Sequence, residues 1–215
     1  MTEPEFLQAT RESYDTVAES YAERVPGLFA SLVLGRALLA AFAEEVRGDG
    51  GGPVAEVGCG PGHVTEYLAG LGLDVSGVDL SPGMVAVARR RYPALRFDVG
   101  SMTGLDYGEG ELAGVVSWWS IVHTPPEAVP VVFAEFRRVL RPGGRLAIGF
   151  HVGEGERRPE QAYGHPVSYR SFRFGVEEMA GRLGHAGFDL TAEVRMPPPE
   201  PGRPPQAVLL ARVAG

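Results

Sequence analysis

The feature that most constrains this chain is an apolar run that leads directly into three alternating glycines. Residues 54–57 read Val-Ala-Glu-Val and are followed by Gly58, Gly60 and Gly62, after which a helical pattern begins. Glycines at such a junction remove the Cβ atoms that would keep a ligand away from the backbone, and the first helical turn offers unpaired N–H groups. The motif therefore predicts a strand, a turn and a helix that bind a ligand through the backbone.

The spacing of the glycines argues against a dinucleotide-binding loop. In that fingerprint the third glycine follows the second by three positions, whereas here position 63 is His63 and the third glycine comes early. An apolar strand predicted over 73–79 ends at Asp79, whose two carboxylate oxygens match the two hydroxyls of a ribose. Because Ser81 and Pro82 already suit the N-cap and first position of the next helix, Asp79 is available for a nucleoside.

Short apolar runs alternate with helical patterns from residue 53 onward, which is typical of a doubly wound α/β fold. The pattern predicts five parallel strands, at residues 53–58, 73–79, 95–99, 113–118 and 145–150. It predicts intervening helices at residues 62–71, 82–92 and 125–140, and a further helix at 174–186. Two more strands, at 188–195 and 206–213, are joined by a proline-rich run too short for a crossover helix, so the last strand should enter antiparallel. The expected sheet has seven strands and is mostly parallel.

The 215 residues fit one domain, which we expect to be arranged in four parts. The predicted parts are a helical N-terminal cover at 1–47, a cofactor-binding core at 53–150, a polar and aromatic candidate lid at 152–173, and a C-terminal helix with a strand hairpin at 174–215. Nothing in the sequence indicates the oligomeric state.

Composition excludes several functional classes. The net charge is −7. All 20 residues counted as lysine or arginine are arginines, because lysine does not occur, and asparagine is absent as well. A phosphate-loop lysine, a Schiff-base lysine and an N-glycosylation acceptor are therefore absent, and the acidic balance argues against nucleic acid as a partner. Cys59 is the single cysteine, and the apolar stretch 27–42 is interrupted by Arg36. We therefore expect a cytoplasmic protein with no disulfide and no membrane partner.

Three segments in order along the chain resemble the class I S-adenosylmethionine-dependent methyltransferases, in their broad small-molecule branch. These segments are residues 56–62, residues 77–81 (Gly-Val-Asp-Leu-Ser) and residues 139–146 (Val-Leu-Arg-Pro-Gly-Gly-Arg-Leu). The resemblance implies S-adenosylmethionine as cofactor, S-adenosylhomocysteine as product, and methyl transfer to a small-molecule acceptor by in-line displacement. Which atom is methylated, and on which acceptor, stays open.

The same resemblance implies a set of cofactor-binding residues. Glu56 corresponds to the acid near the methionine amino end, the glycines to the backbone floor, Asp79 to the ribose clamp, and a Tyr-containing N-terminal helix to the cover. Ser101 stands where the family often has an aspartate. The predicted cofactor-binding residues are Tyr14, Tyr21, Glu56, Gly58, Gly60, Gly62, Asp79, Leu80, Met84, Ser101, Met102 and Trp118.

The acceptor side is predicted from position and composition. Residues 117–120 lack the motif that holds an amino nitrogen in nucleic-acid methyltransferases. The predicted substrate-pocket residues are Trp119, Tyr163, His165 and Tyr169. His123 and His151 follow strand ends and are candidate general bases, and no metal-ligand spacing is present. Two alternatives remain, a nicotinamide-dependent reductase and a non-catalytic regulator that binds S-adenosylmethionine.

Overall fold

A computed structural model describes residues 4–198 and 202–215 of the chain. The strands are β1 (Pro53–Val57), β2 (Asp74–Asp79), β3 (Arg96–Val99), β4 (Leu112–Trp118), β5 (Leu140–His151), β6 (Glu156–Arg157), β7 (Gln161–Ala162), β8 (His165–Pro166), β9 (Ser171–Phe172), β10 (Phe188–Met196) and β11 (Gln206–Val213). The helices are α1 (Glu5–Ser31), α2 (Val33–Gly48), α3 (His63–Gly70), α4 (Pro82–Arg91), α5 (Val129–Val139) and α6 (Val176–His185), and a short 3-10 turn spans Ile121–His123.

Seven of these strands form one sheet in the order β10-β11-β5-β4-β1-β2-β3. Strands β1 to β5 pair in parallel, whereas β11 is antiparallel both to β5 and to β10. The predicted doubly wound α/β fold, with its antiparallel last strand, is therefore confirmed. The connection between β10 and β11 includes residues 199–201, which lie outside the described residues.

Both faces of the sheet are covered, so the central strands are buried on both sides. Strand β4 is buried at every position, as expected for a parallel strand between two helical layers. One core packs α5 and α6 against residues such as Val115, Ile148 and Leu209. The other packs α2 and α3 against Val116 and Ala147 on the opposite face. The glycine loop lies where β1 meets α3, at the carboxyl edge of this sheet.

Helix α5 differs from its prediction at its N-terminus. The expected start at residue 125 is wrong, because the helix begins at Val129 after a turn. Two consecutive prolines explain the shift, since Pro126 disfavours the helical conformation for Pro125. Thr124 and His123 consequently belong to an irregular segment between β4 and α5, at the carboxyl edge of the sheet.

The predicted polar segment at 152–173 folds into two short antiparallel pairs. Strand β6 pairs with β9, and β7 pairs with β8 inside that pair. The segment is fastened to α1 by the Ser13 hydroxyl, which accepts the Ser168 N–H at 2.9 Å, and by a 2.9 Å hydrogen bond between Ser20 Oγ and His165 Nε2. It therefore lies against the N-terminal helix, as a cover must.

Within residues 4–198 and 202–215, no single helix has both the length and the apolar composition needed to cross a bilayer. Helices α1 and α2 satisfy that criterion only as a pair, and the pair is bent by 82°.

The predicted N-cap of α4 gives a test of the fold. Ser81 Oγ accepts the Met84 N–H at 3.0 Å and donates to Asp15 Oδ1 at 2.5 Å, so this one hydroxyl connects α4 to α1. Ser81→Ala should lower the free energy of unfolding by about 1–2 kcal/mol, because both bonds are lost. Urea denaturation measures this effect. The control Ser31→Ala, at an exposed serine that bonds only Leu28 O in its own helix, should change stability by less than about 0.5 kcal/mol. Equal effects would contradict a capping role for Ser81.

Candidate functional site

A pocket of about 760 Å³, including its open mouth, lies at the carboxyl ends of β1, β2 and β4, between those strand ends and α1. Open α/β sheets bind ligands at this edge. The pocket is lined by residues Phe6, Leu7, Thr10, Tyr14, Tyr21, Val57, Gly58, Gly60, Asp79, Leu80, Gly100, Ser101, Met102, Thr103, Trp118, Trp119, Ser120, His123 and Thr124. Among these described lining residues, Asp79 is the only carboxylate and none is arginine, so the pocket favours a cationic ligand over an anionic one.

The three glycines of the loop have different roles. Gly58 has φ +76°, and a Cβ there would lie 2.2 Å from Ser120 Cβ, so this glycine allows the loop to pack on the residue that follows β4. Gly60 has φ +53° and lines the pocket, where an added Cβ would meet only the Tyr21 ring within 4 Å. A side chain at Gly60 would therefore occupy ligand space.

Asp79 organises the loop from the end of β2. One carboxylate oxygen accepts the Gly60 N–H at 2.7 Å, and the other accepts the Ser81 N–H at 2.9 Å. Burial raises the pKa of Asp79 to about 6, although these two N–H donors act in the opposite direction. Each oxygen keeps a further lone pair, and because Asp79 lines the pocket a ligand hydroxyl can donate to it.

Glu56 is buried on β1 but does not line the pocket. Its carboxyl accepts a hydrogen bond from the Thr65 hydroxyl of α3. Burial raises its pKa to about 8, the Thr65 bond opposes that shift, and the nearby Asp79 carboxylate adds to it. At neutral pH the Glu56 carboxyl is therefore mostly protonated, and Asp79 is the ionised acid of the two.

Aromatic side chains cover the pocket from the side of α1. We use the name aromatic cap for Tyr14, Tyr21, His123, Tyr163 and Tyr169. The Tyr14 ring stacks on Tyr169 with centroids 5.5 Å apart and meets His123 edge-on at 5.1 Å, while Tyr21 packs on Tyr163 at 5.0 Å. The cap therefore joins three parts of the chain: α1, the turn after β4, and the segment 152–173.

The protonation of His123 follows from its partners. Nδ1 lies 2.9 Å from the Arg170 carbonyl oxygen, which can only accept, so Nδ1 carries the proton. Nε2 must then accept from the Tyr14 hydroxyl, 2.7 Å away. Burial lowers the pKa of His123 to about 4 and raises that of Tyr14 above its usual value. The imidazole is neutral, and its lone pair is already engaged.

The structure brings most of the predicted cofactor residues to one pocket. The predicted residues that line it are Tyr14, Tyr21, Gly58, Gly60, Asp79, Leu80, Ser101, Met102, Trp118, Trp119 and His123. Ser101 Oγ accepts the Thr103 N–H at 3.2 Å and pairs with the Thr103 hydroxyl at 2.8 Å, so its hydroxyl stabilises the turn after β3.

Seven predicted residues lie outside that lining. Gly62 is the N-cap of α3 with φ +83°, and its glycine is required because a Cβ would approach the Phe97 ring to 2.7 Å. Met84 is buried between α4 and α1 with Val17 and Ala18, since the helix turns it away from the pocket. The remaining five residues are Glu56, His151, Tyr163, His165 and Tyr169, of which the last three form contacts behind the pocket wall.

The first turns of α1 contribute pocket residues that were not predicted from the sequence. Phe6, Leu7 and Thr10 line the pocket together with Tyr14. The signal was present, because Leu7 and Thr10 continue the face of Tyr14 toward the N-terminus at helical spacing. By contrast, Gly100, Thr103 and Ser120 line the pocket from turns after strands, where no periodic pattern exists.

Comparison with known proteins identifies the same part of the chain. A family model described as a methyltransferase domain matches residues 54–144, from β1 to the start of β5. Protein-L-isoaspartate O-methyltransferase from Anaeromyxobacter dehalogenans is 34% identical over 156 residues, which cover 67% of this chain and 68% of that protein. Demethylmenaquinone methyltransferase from Beutenbergia cavernae is 36% identical over 95 residues, 44% of this chain and 39% of that protein. The chain thus spans well under half the length of this second relative.

A solved structure matches the whole chain. The Burkholderia thailandensis 1,6-didemethyltoxoflavin-N1-methyltransferase, crystallised with 1,6-didemethyltoxoflavin and S-adenosylhomocysteine, is 26% identical with a TM-score of 0.75. The match covers 100% of this chain and 92% of that one. It therefore includes α1, the segment 152–173 and the C-terminal hairpin.

The buried Glu56 should give the protein a measurable pH dependence. Its carboxyl is an acid whose pKa rises from 4.5 to about 8 on folding, so the unfolded state binds fewer protons between these values. The contribution of Glu56 to the free energy of unfolding should therefore fall as the pH rises from about 4.5 to about 8.

Glu56→Gln keeps an oxygen that accepts from Thr65 and removes this titration. Relative to the wild type, the variant should gain roughly 2–4 kcal/mol between pH 5 and pH 8, measured by denaturation at each pH. Glu66→Gln, at an exposed acid in the first turn of α3, is the control. A stability difference that does not vary with pH would show that Glu56 is ionised throughout.

Proposed function

Since the chain belongs to the class I S-adenosylmethionine-dependent methyltransferases, we propose that it transfers a methyl group from S-adenosylmethionine to a small-molecule acceptor. The observation that carries this proposal is the pocket at the carboxyl edge of the sheet, where the open Gly60 backbone and the Asp79 carboxylate lie side by side. Family membership removes the nicotinamide-dependent reductase from consideration. The non-catalytic regulator remains the alternative to be tested.

The residues present fit S-adenosylmethionine. The cofactor is a cation, and the pocket offers a carboxylate with no arginine among its described lining residues. We assign Asp79 to the ribose hydroxyls, Gly58 and Gly60 to the floor, and Tyr14 and Tyr21 to the cover. Leu80, Ser101 and Met102 border the same space and are assigned to the adenine side. Glu56 is assigned no direct contact, because it does not line the pocket.

When bound, the cofactor supplies an electrophilic methyl group on a sulfonium. The chain's part is then to hold an acceptor in line with that group and to exclude water. The aromatic cap provides the exclusion, because it connects α1 to the segment 152–173 over the pocket. His123 suits a positioning role better than that of a general base, since its free lone pair already accepts from Tyr14. His151 remains the candidate base.

The cover over the pocket favours a small-molecule acceptor over a protein acceptor. The relative from Anaeromyxobacter dehalogenans is named for a protein substrate, whereas the Burkholderia thailandensis enzyme, which matches the whole chain, was crystallised with a fused heterocycle. In the present chain α1 and the aromatic cap cover the site, which suits a compact acceptor that can be enclosed. The expectation of a cytoplasmic location rests on the single cysteine and stays a prediction.

The first test is binding of the cofactor. Calorimetric titration should show binding of S-adenosylmethionine and S-adenosylhomocysteine, and none of NAD. Asp79→Asn should weaken S-adenosylhomocysteine binding about 10–100-fold, the usual worth of hydrogen bonds to a charged group. Asp98→Asn, at a surface acid paired with Arg89, is the control and should bind normally.

The pH dependence of binding sharpens this test. Ligand hydroxyls donate to the ionised Asp79, whose pKa in the free protein is about 6. Affinity should therefore be constant above about pH 7 and fall as the pH decreases through 6, in the wild type but not in Asp79→Asn. Binding that is independent of Asp79 at every pH would remove it from the site.

The second test separates an enzyme from a regulator. In a variant that replaces residues 158–168 by Asn-Gly, β6 and β9 remain and the inner pair β7–β8 is removed. Affinity for S-adenosylhomocysteine should change by less than about threefold, whereas transfer of labelled methyl to an acceptor found by screening should fall at least about 100-fold. Full activity in this variant would show that the segment is not a lid. Absence of transfer by the wild type to any compound of a broad panel would favour the regulator.

A further inference from the structure

Trp119 has an unusual backbone conformation at the edge of the pocket. Its φ is +53°, in the left-handed region that a bulky residue rarely adopts. Because of this turn, Trp118 and Trp119 direct their rings to the same face of the sheet, with centroids 4.5 Å apart and planes at 84°. Gly149 of β5 makes the arrangement possible, since an added Cβ there would lie 3.2 Å from the Trp119 ring. Strain of this kind is concentrated at functional sites.

Two ring nitrogens at this place have no hydrogen-bond partner. Trp119 Nε1 and His151 Nδ1 are both shielded from solvent and unpaired within the part of the chain that the structure describes. A buried donor left without a partner costs about 1–3 kcal/mol, so such groups are rare unless a ligand satisfies them. The indole N–H can only donate, which means that its missing partner is an acceptor atom.

The strand register brings the two nitrogens to one surface. His151 follows Gly149 by two residues on β5, so its side chain leaves the sheet on the face that Trp119 covers. Gln206 of β11 pairs directly with His151 and shares that face. Trp119 also lines the cofactor pocket, next to Ser120. An indole, an imidazole and a carboxamide therefore lie on one face of the sheet, and the indole borders the pocket.

The electrostatic surroundings of this surface are positive. Burial lowers the pKa of His151 to about 4, and the nearby guanidinium groups of Arg203, Arg173 and Arg157 act in the same direction. His151 is therefore neutral. An ammonium group on the acceptor would be repelled here, whereas a carbonyl or enolate oxygen would be attracted.

We propose that Trp119, His151 and Gln206 form the acceptor subsite, and that the acceptor is a planar compound that presents a carbonyl or enolate oxygen to the Trp119 N–H. This inference rests on the proposed methyltransferase function and narrows its substrate class to hydroxycarbonyl compounds as opposed to cationic amines. The indole N–H lies in the plane of its ring, so it meets the acceptor at an edge and fixes which edge enters.

The test compares the binding of two probes with the same fused bicyclic carbon frame to the complex with S-adenosylhomocysteine. The probes are 2-hydroxy-1,4-naphthoquinone, an enolate at neutral pH, and 2-naphthylmethylamine, a cation. Calorimetric titration should show that the quinone binds at least about tenfold more tightly than the amine. Trp119→Phe keeps an aromatic ring but removes the N–H, and should weaken quinone binding by about tenfold, several times more than it weakens binding of S-adenosylhomocysteine.

A second variant, His151→Gln, should weaken quinone binding severalfold. Its control is His185→Gln, which should bind the quinone normally, because His185 is exposed on α6 and its ring bonds only the Gly181 carbonyl oxygen. The subsite assignment is overturned if the wild-type complex fails to bind the quinone, if the amine binds as tightly, or if Trp119→Phe binds the quinone normally. Failure of the wild type to bind S-adenosylhomocysteine would instead refute the proposed function.

Discussion

The arrangement of the site depends on the two backbone hydrogen bonds accepted by Asp79. Through them one carboxylate at the end of β2 holds both the glycine loop after β1 and the start of α4. The three glycines of the loop, Gly58, Gly60 and Gly62, have positive φ and no side chain of their own that could fix it. An anion is well suited to hold it, since hydrogen bonds to charged acceptors are stronger than neutral ones. The cost is a buried charge, and this cost appears as the raised pKa of Asp79.

The second constraint is the junction of three separate segments above the pocket. Helix α1 is attached to α4 through Asp15, which accepts from both Ser81 and the Gly83 N–H. It is attached to the segment 152–173 through Ser13 and Ser20. The aromatic cap fills the space between these polar attachments. The wall above the pocket is therefore formed by α1 and its neighbours and not by the rigid sheet, so opening of these contacts would widen access to the site.

The sequence predicted the sheet and the cofactor edge because both depend on local patterns. Apolar runs followed by Gly58 or Asp79 place a strand end and its functional group together, and parallel strands bring those ends to one edge. The contacts of Tyr163 and His165 could not be predicted, since they depend on how a segment without periodic pattern folds back on α1. Likewise the left-handed turn at Trp119 has no signal in sequence, because only its packing against Gly149 makes it possible. The start of α5 could have been predicted from the two consecutive prolines. The predicted start was instead based on the apolar periodicity, which does not depend on them.

The position of β11 has a consequence for synthesis on the ribosome. This strand lies between β5 and β10, although both precede it in the chain. Until residues 206–213 emerge, β5 has an unpaired edge, and its apolar residues Leu146, Ile148 and Phe150 lack their cover on that side. An exposed apolar strand edge is a template for pairing with another nascent chain. Ribosome pausing before this strand, or its truncation, would therefore favour aggregation over slow native folding, and a chaperone would have to shield that edge.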